Sequence, residues 1–185
     1  MKRGRGDTLT GGTGDVNPQW LTFNRLTLSA ANVYTETSIN LPINRFSNPK
    51  GKSIIMEILK VQFDMPIIDS NPSATGNIIQ SQAVLRPTSS GGVLDPSDPK
   101  ILAVVDQSSR GAFTAGGSYA DLTNDPQVVD LSDGAGHGML VATDTLFFGA
   151  ATSNYASAAN FYCRILYRFK TVTLEEYIGI VQSQQ

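Results

Sequence analysis

Along most of this chain apolar and polar residues alternate one for one. That is the period of a β-strand, whose successive side chains point to opposite faces. The longest such run is residues 160–171. Phe161, Cys163, Ile165, Tyr167 and Phe169 line one face of it, and Tyr162, Arg164, Leu166, Arg168 and Lys170 line the other. The pattern predicts a strand with one apolar and one mostly basic face. Residues 52–65 form the strongest strand of the first half. Their first part is apolar on both faces; from Leu59 the apolar side is Leu59, Val61, Phe63 and Met65. A strand apolar on both sides belongs inside a sheet rather than at its edge. Weaker alternation predicts strands over residues 20–29, 32–43, 76–87, 127–131 and 139–152. Residues 98–105 leave two readings open. Asp98 and Pro99 suit a helix N-cap and first helical position, while Val104 and Val105 favour a strand.

Turn residues separate these segments: Pro49, Pro66, Pro96, and the glycines of residues 132–138. Residues 111–124 read as a long loop. Strand follows strand, with no βαβ alternation and no internal repeat. Two antiparallel sheets packed face to face are the natural solution. The expected fold is therefore all-β, a single antiparallel eight-stranded jelly roll with long loops. The Gly-rich residues 1–19 are expected to be a mobile, weakly basic arm, and residues 20–185 the jelly-roll domain. After the last strand, Thr173-Leu-Glu-Glu176 has the spacing of a helix capping box. The remaining tail carries no charged side chain. Its apolar residues Tyr177, Ile178, Ile180 and Val181 are expected at a subunit interface, with docking inside their own subunit as the alternative.

Charge changes the picture through its distribution. The 14 Lys and Arg and 16 Asp and Glu give a net charge of −2, and charged residues make up 16% of the chain, below the usual ~25%. Residues 1–60 hold eight basic and four acidic residues. Residues 61–150 hold three basic residues and ten acidic ones, every one an Asp. The ends are basic and the middle acidic, so a subunit with two electrically different sides is expected. The basic strand face (Arg164, Arg168, Lys170) would then look inward with the arm residues Lys2, Arg3 and Arg5. Loops carrying Asp95, Asp121 and Asp125 would look outward. Basic side chains neutralise phosphates without reading sequence, and Tyr162 among them could stack on a base. The plain alternative is a solvated strand face.

Catalytic chemistry has little to work with. The single histidine, His137, stands between glycines in a turn, and a triad would need a Ser and an Asp brought to it. Zinc sites need more His and Cys than one of each. Gly11-Gly-Thr-Gly14 lacks the Lys-Ser/Thr of a phosphate loop, and Asp130-Leu-Ser-Asp-Gly134 lacks the closing Glu of a calcium loop. Arg5-Gly-Asp7 is a three-residue match without further support. Cys163 reads as a small core residue, and no run reaches the ~18 apolar residues of a membrane helix. Nor does the start of the chain carry the apolar segment of a secretory signal. No enzyme activity, cofactor or metal is expected.

Residues 168–185, Arg-Phe-Lys-Thr-Val-Thr-Leu-Glu-Glu-Tyr-Ile-Gly-Ile-Val-Gln-Ser-Gln-Gln, resemble the C-terminal ending of capsid proteins of small circular Rep-encoding single-stranded DNA (CRESS-DNA) viruses. Residues 10–19 are similar to the segment after the basic arm in some of those proteins. The resemblance implies a virion component that self-assembles into a small icosahedral T=1 shell of on the order of 60 copies. It also implies single-stranded DNA packaged without sequence preference. One departure stands out: those capsids begin with a long Arg-rich arm, and here the arm has Lys2, Arg3 and Arg5. Such a shell would bring roughly 180 arm charges against thousands of phosphates, so neutralisation would need other residues or counterions. The alternative is a carbohydrate- or receptor-binding jelly roll, for which the loop of residues 118–124, rich in Asp, Asn and Tyr, would suit sugar contacts.

Overall fold

The computed structural model describes residues 17–43, 51–66, 78–91, 95, 97–110 and 125–184. In chain order these form β1 (Gln19–Trp20), β2 (Asn24–Thr27), β3 (Thr35–Asn40), β4 (Lys52–Asp64), β5 (Ile78–Arg86), β6 (Ala103–Arg110), β7 (Gln127–Asp130), β8 (Met139–Val141), β9 (Thr145–Ser153), β10 (Asn160–Thr173) and α1 (Leu174–Ser183). The first sheet runs β1/β2–β10–β4–β7/β8 and the second β3–β9–β5–β6, with every pairing antiparallel. Strands β1 and β2 pair one after the other along the same edge of β10, and β7 and β8 along the same edge of β4. Each pair is one interrupted strand, so the sandwich has the eight strands of a jelly roll.

Period-2 alternation puts one face of each sheet into a common core. Phe161, Cys163, Ile165 and Tyr167 of β10 and Met56, Ile58, Val61 and Phe63 of β4 meet Ile79, Ala83 and Leu85 of β5 and Leu146, Phe148 and Ala150 of β9. The Phe63 and Phe148 rings lie 6.0 Å apart between the sheets. Cys163 is fully buried, and burial pushes its thiol pKa far up, so it acts as a core hydrophobe. Strand β4 carries a bulge. Tyr167 pairs with Ile58 and Leu166 with Lys60, so Leu59 has no partner in β10. The bulge shifts the phase: core residues are even-numbered before Leu59 (Met56, Ile58) and odd-numbered after it (Val61, Phe63). Before the bulge Ile55 on the other face belongs to a second, smaller core, so the sequence there reads apolar on both faces and then, with shifted phase, on one.

Several expectations need correction, among them the single strand over residues 20–29, which is split into β1 and β2. Residues 139–152 are not one strand. They split into β8 in the first sheet and β9 in the second, and the chain crosses the sandwich at residues 142–144, where the Asp144 carbonyl accepts from the Leu41 amide at 2.9 Å. Alternation reports burial on one side and is blind to which sheet supplies it. Of the two readings left open for residues 98–105, the helix falls. Asp98 caps a turn instead: its carboxylate accepts from the Lys100 amide at 2.9 Å and its carbonyl from Ile101 at 3.1 Å. Val104 and Val105 then pair with Val84 and Ala83. The expected arm boundary at residue 19 falls in β1, whose Gln19 pairs with Tyr167. The rest of the arm (residues 1–16), with Lys2, Arg3 and Arg5, lies outside the described residues, as do Asp121 and the loop of residues 118–124.

The capping box forms as its spacing indicates. Thr173 Oγ1 accepts from the Glu176 amide at 3.2 Å, and the Glu176 carboxylate accepts from the Thr173 amide at 2.9 Å. From this cap α1 turns back over the outer face of the first sheet.

Candidate interaction surface

The outer face of β10 carries Tyr162, Arg164, Leu166, Arg168 and Lys170, all partly exposed, as their alternation indicates. Register with β4 decides what each one meets. Directly opposite residues of an antiparallel pair share a face, so Arg164 faces Gln62, Arg168 faces Glu57 and Tyr162 faces Asp64.

At the Arg168 end the charge is already answered. The Glu57 side chain is 1% exposed, and Arg168 Nε donates to its Oε2. Lys170 Nζ stands 3.9 Å from Oε1, which also accepts from the Gly138 amide at 3.0 Å. Burial works to raise the Glu57 pKa. The Arg168 hydrogen bond, the Gly138 N–H and the two cations outweigh it and hold the carboxyl below its ordinary value. Arg168 also donates to the Gly136 carbonyl at 2.8 Å. The loop of residues 132–138 is thus latched onto β4 and β10. Gly138 has to be glycine, because a Cβ there would collide with the Ile58 carbonyl. His137 is an exposed member of this loop, tied in by its backbone: its amide donates to Asp133 at 3.0 Å, and its carbonyl accepts from the Asp133 amide at 2.9 Å. At the loop's start Asp130 accepts from Ser132 and pairs with Lys60 at 3.0 Å, which brings its pKa down to about 2.

The Arg164 end is different. Arg164 donates through Nε and Nη2 to the neutral Gln62 Oε1 at 3.0 and 2.9 Å. Its guanidinium lies 4.3 Å from the ring centre of Trp20 and 4.7 Å from that of Phe23. Both rings are largely open, Trp20 at 41% and Phe23 at 46% exposure. The break between β1 and β2 makes this possible. Leu21, Thr22 and Phe23 stand opposite Arg164 and Ile165, three residues against two, and this bulge brings Trp20 and Phe23 to the same guanidinium. Beside them Arg25 faces Tyr162 and donates to the Asn160 side-chain oxygen at 3.0 Å.

Helix α1 covers the β8 side of this face. Tyr177, Ile180 and Val181 pack on a second, smaller core made of Ile55, Ala142 and Val172. Gln184 closes the free edge of β8: its Nε2 donates to the Leu140 carbonyl at 2.6 Å and its Oε1 accepts from the Ala142 amide at 3.2 Å. Of the four tail residues expected at an interface, three thus have contacts in their own subunit. Ile178 points away and is 47% exposed, one turn from Leu174 at 52%. A groove of about 440 Å³ lies between α1 and the sheet, lined by Leu140, Lys170, Val172, Gly179 and Ile180 among others.

Sequence reading missed Trp20, Phe23, Glu57 and Leu174. The first two sit in a break of alternation, and Glu57 sits in a run that reads as apolar. It also missed Glu36, which on the second sheet accepts from Tyr34 Oη at 2.9 Å and from Ser89 and Ser90. Asp95 and Asp125, expected on outward loops, are exposed. No group of three or more metal-ligating side chains occurs among the described residues, and none of their helices is long and apolar enough to cross a membrane.

No protein-family model and no curated protein matches this chain. Solved structures do. VP1 of Trichodysplasia spinulosa-associated polyomavirus, in complex with 3′-sialyllactose, aligns at a TM-score of 0.52 and 12% identity, covering 86% of this chain and 98% of that one. The same VP1 in complex with GM1 oligosaccharide gives 0.51 and 12%, covering 82% and 94%. At such identity the likeness speaks for the fold alone. The fold is a jelly roll, as in these VP1 proteins. The expected jelly roll is thereby matched nearly end to end.

Proposed function

We propose that this chain is a viral coat protein whose copies self-assemble into a small icosahedral shell around single-stranded DNA. The C-terminal resemblance favours a CRESS-DNA virus and a T=1 particle of on the order of 60 copies. The observation that carries the reading is the way α1 is held. Tyr177, Ile180 and Val181 fix it to its own sheet, while Leu174 and Ile178 form an exposed apolar pair on its open side. Exposed apolar surface on the open side of an anchored helix marks a contact site, and in a jelly roll the partner of first resort is another copy. The tail then serves both roles, with Ile178 making the contact and the other three positioning it.

Nucleic acid would meet the inward side through Lys2, Arg3 and Arg5 and through Arg164, Arg168 and Lys170. Loops bearing Asp95, Asp121 and Asp125 would face outward. Contacts would be to phosphates, insensitive to sequence and weakened by salt. The six cations are not equal in this role: the single charge of Glu57 offsets Arg168, which is hydrogen-bonded to it, and leaves Arg164 and the more exposed Lys170 the larger share on the strand.

Electron microscopy and light scattering of the purified chain are expected to find uniform closed particles. Leu174→Ser with Ile178→Ser should give subunits of unchanged melting temperature that do not assemble. Monomers from the unaltered chain would overturn the shell reading, and normal particles from the double variant would remove α1 from the interface.

A further inference from the structure

The outer face of the first sheet carries a feature that phosphate neutralisation does not use: two open aromatic rings on one guanidinium. We propose that Trp20, Phe23 and Arg164 form a stacking platform for the bases of single-stranded nucleic acid, flanked by Arg25 and Tyr162. The proposal deepens the coat-protein reading by naming where the strand is held, and it rests on that reading for its ligand.

The chemistry supports this partner in three ways. First, Trp20 and Phe23 are about half open, and Arg164 reaches both, at 4.3 and 4.7 Å. Every base has a π-face, so rings and a guanidinium plane accept any base without reading its edge, in keeping with sequence-independent packaging. Second, charge favours a polyanion. Arg164 and Arg25 donate to neutral side-chain amide oxygens, of Gln62 and Asn160, and neither makes an ion pair among the described residues. Among the described residues, Asp64 is the carboxylate set opposite Tyr162. Third, the platform is pre-organised. Gln62 holds Arg164 by two hydrogen bonds, and Trp20 is fixed in β1 by its pairing with Leu166. Little ordering remains to be done on binding.

The chain has one tryptophan, so its emission reports the platform alone. The test uses the purified chain, freed of nucleic acid and diluted until light scattering finds single subunits, with a thymidine oligonucleotide and, separately, inorganic polyphosphate. The oligonucleotide is expected to quench Trp20, and polyphosphate to bind without comparable quenching. Phe23→Ala and Arg164→Gln should each weaken oligonucleotide binding about tenfold at unchanged melting temperature. Equal quenching by both polyanions, or oligonucleotide binding without quenching, would overturn the platform. So would a change in Trp20 emission on assembly in the absence of nucleic acid, which would make the face a contact between copies. Particles seen by microscopy without quenching would sink this proposal and spare the coat-protein reading. Quenching by a chain that never assembles would do the reverse.

Discussion

Arg164 and Arg168 stand four residues apart on the same face of the same strand, yet they live in different chemistry. Arg168 is 14% exposed, paired with a carboxylate that is 1% exposed, and bonded to the loop of residues 132–138. Arg164 is bonded to an amide and lies against two open rings. The difference comes from β4 and from the neighbouring segments, since β10 treats the two alike. Register sets Glu57 against one and Gln62 against the other. The Gly-rich loop closes over the first site, and the β1–β2 bulge opens aromatic surface at the second. A basic stripe in a sequence is thus only a row of charges, and the fold decides which of them are structural and which remain available.

The largest effect should come from breaking the closed end. Glu57→Gln leaves Arg168 part-buried without its counter-charge, and removing one partner of a buried pair costs about 3 kcal/mol. A denaturant midpoint that barely moves would mean that Glu57 is not the keystone of this end. The same group gives a pH dependence. Its folded pKa lies below the ordinary glutamate value of 4.5, held there against burial by Arg168, the Gly138 N–H and Lys170. A depressed carboxylate contributes its full stability above the unfolded pKa and loses it as pH falls through the folded one. Stability should therefore be flat above about pH 5 and decline below ~4.5, with part of the decline missing in Glu57→Gln. Parallel acid curves for the two proteins would show that other carboxylates, such as Asp130, carry the acid sensitivity.

A smaller effect is expected at the other boundary of the closed end. Thr173→Ala removes the Oγ1 that accepts from the Glu176 amide, at a cost of about 1 kcal/mol. Because α1 also rests on Ile55, Ala142 and Val172, the helix should stay docked, with amide exchange speeding up in its first turn. Loss of the whole helix signal by circular dichroism would mean that the cap, rather than the second core, holds it.

Much of the fold was legible because alternation is a direct record of burial. The core face of β10 and the strands β4 and β5 follow from it, and so does the capping box, a local device whose partners lie three residues apart. What stayed hidden was set by contacts distant in sequence. The break between β8 and β9 depends on which sheet each half joins. Asp98 has the same residue type in a turn as at a helix N-cap, and the pairing of Val104 with Val84 decides between them. In the candidate surface the basic side chains were visible and their partners were not. Glu57 lies 111 positions from Arg168, and no spacing rule reaches that far. Trp20 and Phe23 were hidden for the opposite reason: Phe23 lies in the β1–β2 bulge and Trp20 at its edge, where period-2 reading loses its phase.

The comparison is sharpened most by the change expected to do least to the fold. Arg164→Gln removes a side chain that makes no ion pair among the described residues, and Gln at that position can still bond to Gln62. Surface changes of this kind usually stay within about 0.5 kcal/mol, so the melting temperature should hardly move. Arg168→Gln, by contrast, strands Glu57 and should destabilise by about as much as Glu57→Gln. Nucleic-acid binding should rank the two the other way round. On a single strand, each phosphate that the protein neutralises adds ~0.7 to the steepness of the salt dependence. Arg164→Gln should therefore flatten the slope by about that much, while Arg168→Gln, whose charge Glu57 already offsets, should leave it nearly unchanged when measured well below its own unfolding transition. Equal flattening in both variants would mean that Glu57 does not shield Arg168 from a passing phosphate, and that the two ends of the strand face act as one cationic surface.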